Sequence, residues 1–260
     1  MKYTVNCSIL FTELPLLERP AAAKAAGFDA VEFWWPFPTA APSDAEVDEF
    51  VRAIEDAGVQ LTGLNLAAGD MPGGDRGLAS WPGRETEFRD SIDIAAAIGK
   101  RLGTRVFNAL YGNRIEGVDP RDQDDLAVQN LSRAAALLDG TVVIEPLSGA
   151  DRYPLRTAAD ALAVADRLGV PNVALLADLY HLTVNGDDVA AVIRDHGSRI
   201  GHVQIADAPG RHEPGTGEIP FDEHFAALTA AGYTGWIGLE YVPSTDSDHA
   251  FDWLRKEEQQ

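Results

Sequence analysis

The sequence predicts a (β/α)8 barrel on three observations: eight strand-length apolar runs alternate with segments able to form helices, several helices stop at glycine, and acidic or amide residues recur at the ends of the later strands. At 260 residues the chain has the length of one such barrel, so a single domain over 1–260 is expected. No Pro/Gly/Ser-rich linker divides it.

In chain order the strand candidates are YTVNCSI, AVEFWW, VQLTGLNL, RVFNALYG, TVVIEPL, VALLADLYH, IGHVQIAD and WIGLEYV. The first explains the N-terminus better than a secretory signal does, because MKYTVNCSILF has neither a sustained apolar run nor a small-residue cleavage site. Cys7 is the only cysteine, which excludes an internal disulfide and a thiolate metal site and leaves it as a small buried hydrophobe. In the second run Glu32 reads as a paired interior charge. Trp34 and Trp35 read as core or rim packing, or as a wall of a pocket or interface.

Ser43-Asp44, Thr157 and Asp222 precede helical stretches as candidate N-caps. Gly27, Gly58, Gly140, Gly169 and Gly232 each follow an alanine- or leucine-rich segment and precede the next strand, as a left-handed C-cap requires. Periodicity alone would also suit an open doubly wound sheet. Against that, no strand-to-helix turn carries a GxGxxG or GxxxxGK[ST] phosphate loop, whereas polar residues cluster at the ends of strands five to eight. In a barrel those ends converge on one mouth, where sites of this fold are built.

Four of these residues define a candidate site. Glu145 closes VVIE, Asp178 closes ALLAD, Gln204 lies in HVQIAD and Glu240 closes WIGLE. Burying an unpaired carboxylate costs several kcal/mol. Singly, Glu145 or Glu240 could be an interior carboxylate paired with an arginine. Together, oxygen donors on consecutive strands must lie close, and a divalent cation is the economical way to stabilise them. Oxygen donors without cysteine favour a hard ion, Mg²⁺ or Mn²⁺.

Around them, His181 follows Asp178 by three residues and is placed in the loop at the mouth, to bond a substrate oxygen, support the metal, or serve structure alone. His202, two residues before Gln204, falls on the same strand face one layer deeper, in a supporting or core role. The loop ADAPGRHEPGTGEIPF carries Arg211, which could hold a substrate carboxylate in bidentate fashion or be solvated. Arg76 in GDMPGGDRG is a weaker candidate for the same work.

The formal net charge of −20 repels phosphate backbones and anionic membranes, so neither nucleic acid nor a membrane is an expected partner; a merely solvated acidic surface is the plain alternative reading. No run approaches the roughly 18 apolar residues of a membrane span, and a cytoplasmic location is expected. The tryptophans near the second strand and the acidic surface are compatible with a homo-oligomer, which the sequence does not specify.

These residues resemble a known family, the hydroxypyruvate isomerase group of the xylose isomerase-like TIM barrels. The likeness runs over nearly the whole chain, through AAAKAAGFDAVEFWWPF, LNLAAGD, PGRETEFRDSIDIAAAIG, VVIEPL, DLYH, HVQIADAPGRHEPGTGEI and GLEY, the long stretch from HVQIAD being the most specific. It implies that Glu145, Asp178, Gln204 and Glu240 bind the metal, that Glu145 and Glu240 exchange the substrate proton, and that His181 and Arg211 contact substrate. Gln204 stands where 3-epimerase relatives carry histidine, which points to the isomerase branch. After IEPL the family shows asparagine and a short loop, whereas this chain has Ser148 and GADRYPL, a departure that bears on the substrate more than on the chemistry.

The expected reaction is a proton-transfer isomerisation through an enediolate, with hydroxypyruvate and tartronate semialdehyde as the leading pair and the two glutamates as base and acid. A 2-oxotetronate isomerase or a ketose 3-epimerase is the alternative on the same scaffold. A barrel that binds a metal or sugar acid without turnover is the alternative outside enzymes.

Overall fold

The expected alternation is realised as eight parallel strands that close into a barrel, β1 pairing with β8. The strands are β1 Lys2–Asn6, β2 Ala30–Phe33, β3 Gln60–Asn65, β4 Val106–Asn108, β5 Thr141–Ile144, β6 Val173–Asp178, β7 Ile200–Ile205 and β8 Trp236–Leu239. Between and after them lie α1 Arg19–Ala25, α2 Asp44–Ala57, α3 Glu85–Leu102, α4 Pro120–Leu137, α5 Ala158–Leu168, α6 Leu179–Asn185, α7 Val189–His196, α8 Phe221–Ala230 and α9 Asp252–Glu257. The structure is a computed structural model that describes residues 1–247 and 249–257.

The long helices α3 and α4 each bury one stripe. In α3 the buried Phe88, Ile92, Ala95 and Gly99 recur at helical spacing, and in α4 Ala127, Leu131 and Ala134 do the same. Ser43 and Thr157 cap α2 and α5 as expected, each closing a reciprocal capping box, with Glu46 and Asp160 respectively. Asp222 does not cap α8: the helix starts two residues earlier than such a cap implies, after Pro220, and Asp222 lies in its first turn, where a negative charge favours the positive end of the helix dipole.

Gly27, Gly58, Gly169 and Gly232 take the left-handed conformation, but Gly140 does not. Its reason is proximity. A Cβ there would sit 2.3 Å from the Arg105 carbonyl oxygen, so the turn into β5 admits no side chain.

The strands are shorter than the apolar runs suggested. Glu145 and Glu240 are the first residues beyond β5 and β8, and Leu179-Tyr180-His181 is the first turn of α6 rather than strand or loop. Pairing aligns Asp178 with Gln204, and Gln204 with Gly238, which brings the four expected donors to one rim.

Candidate active site

Each strand end turns a specific side chain inward. Glu145, Asp178, Gln204 and Glu240 are all buried, at 4%, 1%, 3% and 3% exposure. Buried polar groups ordinarily find hydrogen-bond partners, and here several do not. Asp178 Oδ2, Gln204 Oε1 and Glu240 Oε2 have no partner. Three of the four donors therefore each present an uncommitted oxygen at the rim, as a cation-binding site would require.

The remaining oxygens are anchored. Asp178 Oδ1 caps α6, accepting from the Tyr180 and His181 amides at 2.8 and 3.1 Å. Glu145 Oε2 accepts from Asn108 Nδ2 at 2.7 Å. Glu240 Oε1 accepts from Trp34 Nε1 at 3.0 Å and from the Arg211 guanidinium at 2.9 Å. Among the described residues, the ionisable side chains whose donor atoms lie mutually within 4.8 Å, and so could hold a metal ion, are Glu145, Asp178 and His181. The structure thus brings His181 into the cluster, while Arg211 and Trp34 hold one oxygen of Glu240 at its edge.

The histidine's geometry decides what it can offer. Its Nδ1 accepts the Ser148 backbone N–H at 3.0 Å and lies 2.7 Å from the Ser148 hydroxyl. A nitrogen that accepts carries no proton, so the neutral ring holds its hydrogen on Nε2, 3.8 Å from Asp178 and 4.0 Å from Glu145. Burial presses the pKa of His181 down to about 4 against the opposing pull of Asp178, which keeps the ring neutral at pH 7. As placed, His181 is a hydrogen-bond donor.

Electrostatically the cluster is overloaded. Burial, with Asp178 adding to it, pushes Glu145 up to about 8. Burial likewise raises Glu240 well above the carboxylate range, with Arg211 opposing and Glu145 and Asp178 adding. For Arg211 burial works against its charge, but Glu240, Asp178 and Glu145 more than offset it. Its guanidinium also lies over the Tyr180 ring, 5.6 Å from the centroid.

Sequence reasoning missed three contributors. Asn108 gave no signal within RVFNALYG, yet it orients Glu145. The Trp34 indole was visible, but not its bond to Glu240. Asp207, 1% exposed, accepts four backbone amides, from Ala208, Gly215, Gly217 and Ile219, at 2.8–3.0 Å. It gathers the Gly/Pro-rich loop on which Arg211 stands with a left-handed φ of 59°. An acid at a strand end ahead of several glycines was the available sign. Arg76 binds the Met71 and Asp75 carbonyls of its own loop. Glu32 is the paired interior group expected of it, its partners being His202, Gln204 and Asn6.

The profile of the xylose isomerase-like TIM barrel family matches residues 20–257. A putative hydroxypyruvate isomerase of Streptomyces coelicolor is 54% identical, covering 97% of this chain and 95% of that protein. The chain belongs to the hydroxypyruvate isomerase family of xylose isomerase-like TIM barrels. The hydroxypyruvate isomerase of Escherichia coli K12 is 34% identical over 98% of both chains. A 2-oxo-tetronate isomerase of Cupriavidus necator is 35% identical over 98% of this chain and 97% of its own. The solved structure of a protein named AP endonuclease, family 2, from Brucella melitensis superposes with a TM-score of 0.89 at 34% identity, over 98% of each chain. No helix among the described residues is long and apolar enough to cross a membrane.

Proposed function

We propose that this single-domain barrel isomerises a small hydroxy-carbonyl acid, with hydroxypyruvate and tartronate semialdehyde as the leading pair. The observation that carries the reading is the buried rim of acids with uncommitted oxygens, faced by one neutral imidazole donor and one arginine. The names of the relatives agree with it. The 2-oxotetronate reading is kept as second, because a relative of that name is about as similar as the Escherichia coli hydroxypyruvate isomerase.

The residues divide the work. Glu145, Asp178, Gln204 and Glu240 would hold one Mg²⁺ or Mn²⁺, each through an oxygen, as suits a hard ion. When bound, such an ion polarises a carbonyl and stabilises negative charge developing on substrate oxygen. Arg211, drawn from Glu240, binds the substrate carboxylate. His181 Nε2–H donates to a substrate oxygen. One of Glu145 and Glu240 removes the carbon-bound proton and the other returns a proton to the neighbouring carbon through an enediolate, with roles exchanged in the reverse direction; such acid–base work contributes typically ~10²–10⁴-fold. The net charge of −20 disfavours docking on a phosphate backbone, which separates this reading from the endonuclease activity for which the Brucella protein is named. A cytoplasmic location accords with it.

The test is a panel of short hydroxy-keto acids and ketoses incubated with Mg²⁺ or Mn²⁺ in deuterated solvent. Turnover of hydroxypyruvate with deuterium entering the product is the expected result. Metal binding with neither turnover nor exchange on any member would overturn the reading in favour of a binding protein.

A further inference from the structure

Beneath the rim, the barrel axis carries a second polar cluster that the reaction scheme leaves unused. Glu32 is 2% exposed and has its carboxylate fully engaged. Oε1 accepts from Asn6 Nδ2 at 3.1 Å and from Gln204 Nε2 at 2.7 Å, while Oε2 lies 2.6 Å from His202 Nε2. The backbone keeps space open for it: a Cβ on Gly238 would lie 2.5 Å from Glu32 Oε1 and 2.8 Å from Gln204 Cγ.

We infer that Glu32 is the positioning residue that turns the Gln204 amide, so that its NH₂ points down the barrel and its oxygen faces the metal-binding rim. This rests on the reading of Gln204 as a ligand. An amide has two nearly isosteric ends, only one of which can bind a cation. A carboxylate offers only acceptors, so it selects the NH₂ and leaves Gln204 Oε1 the upper end, where that atom has no partner. Reversal would set oxygen against carboxylate oxygen and forfeit a charge-assisted hydrogen bond. Asn6 also bonds Oε1 and His202 holds Oε2, which fixes the carboxylate itself.

The test measures Mn²⁺ binding to the chelator-stripped full chain by titration calorimetry, with folding checked by circular dichroism. Gln204→Ala should weaken binding. Glu32→Gln, which leaves both amide orientations open, should weaken it by about 10-fold or more, within the range typical of groups that orient metal ligands. The double variant should bind no more weakly than Gln204→Ala alone, because Glu32 acts through Gln204. Wild-type affinity in Glu32→Gln, or losses that add in the double variant, would overturn the inference alone. Wild-type affinity in Gln204→Ala would overturn the ligand reading and the inference with it. Should Glu32→Gln fail to fold, ¹⁵N spectra of the wild-type protein with and without Mg²⁺ decide. Gln204 side-chain amide signals that persist at shifts typical of a carboxylate-bound NH₂ support the inference, and their loss on adding Mg²⁺ overturns it.

Discussion

The two halves of the barrel rim use different chemistry. The first, third and fourth strands end in asparagines, Asn6, Asn65 and Asn108, and the loop after the second contributes the Trp34 indole. In the second half Asp178 closes β6, Gln204 is the last residue but one of β7, and Glu145 and Glu240 directly follow β5 and β8. Neutral donors on the first half bond carboxylates of the second, Asn108 to Glu145 just beyond the neighbouring β5 and Trp34 to Glu240, while the second half presents the uncommitted oxygens. One half orients and the other would react. A side chain with only N–H groups to give can steer a carboxylate without competing for its charge.

The division can be broken at several points, in order of expected effect. Glu145→Gln or Glu240→Gln should lower turnover by at least ~10²–10⁴-fold while circular dichroism still reports a folded barrel; a variant that keeps its rate would remove that glutamate from the reacting half. Asp207→Asn replaces one of the two carboxylate oxygens that gather the Arg211 loop, each of which accepts two backbone amides. It should cost about 1–3 kcal/mol of stability for the amides left unpaired and raise KM more than it lowers kcat, as steady-state kinetics and a thermal melt would show. An equal fall in kcat with KM unchanged would detach Arg211 from substrate binding.

Asn108→Ala, on the orienting half, should reduce kcat by roughly the 10-fold that one hydrogen bond of about 1.4 kcal/mol represents. Trp34→Phe keeps the ring and loses only the N–H, whose bond to Glu240 is longer, 3.0 Å against 2.7 Å for Asn108 to Glu145, so its loss in kcat should be smaller. Equal losses in both variants would mean the two donors do comparable work.

A pH measurement sharpens the same contrast. Glu145 is raised from 4.5 to about 8 in the folded chain and Glu240 is raised too, so the metal-free native state binds more protons than the unfolded chain across that window. Stability then falls as pH rises through it. Thermal midpoints in chelator should decline from about pH 5 to pH 8, and saturating Mn²⁺ should flatten or reverse the trend, because cation and proton compete for the same oxygens. A flat profile without metal would mean the acids are not crowded as the geometry has them.

Much of the reacting half was legible in the sequence, because a carboxylate at the end of an apolar strand contradicts its surroundings and advertises itself. The orienting half was not. Asn108 in RVFNALYG looks like any strand-end polar residue until its partner on the next strand is known. Asp207 drew no reading of its own because its partners are backbone amides, of which the glycines that follow it were the one trace in the sequence. The same limit explains Gly140, whose neighbour, the Arg105 carbonyl, lies 35 positions away in the chain. His181 was assigned to a loop because α6 is short and begins at the metal-binding candidate Asp178 itself, so cap and candidate ligand are one residue.

The Ser148 amide that holds His181 Nδ1 carries a consequence for proton traffic. A relay passes a proton in at one ring nitrogen and out at the other. With Nδ1 accepting a peptide N–H and facing the Ser148 hydroxyl, this imidazole has its exit at Nε2 and that one hydroxyl as its entrance, and its plain role is to lend its hydrogen to a substrate oxygen and take it back. In the proposed reaction a hydrogen that leaves a substrate carbon would stay with the carboxylates or be shared with solvent. The fraction of label carried directly from one carbon to the next thus becomes a measure of how well the rim is sealed.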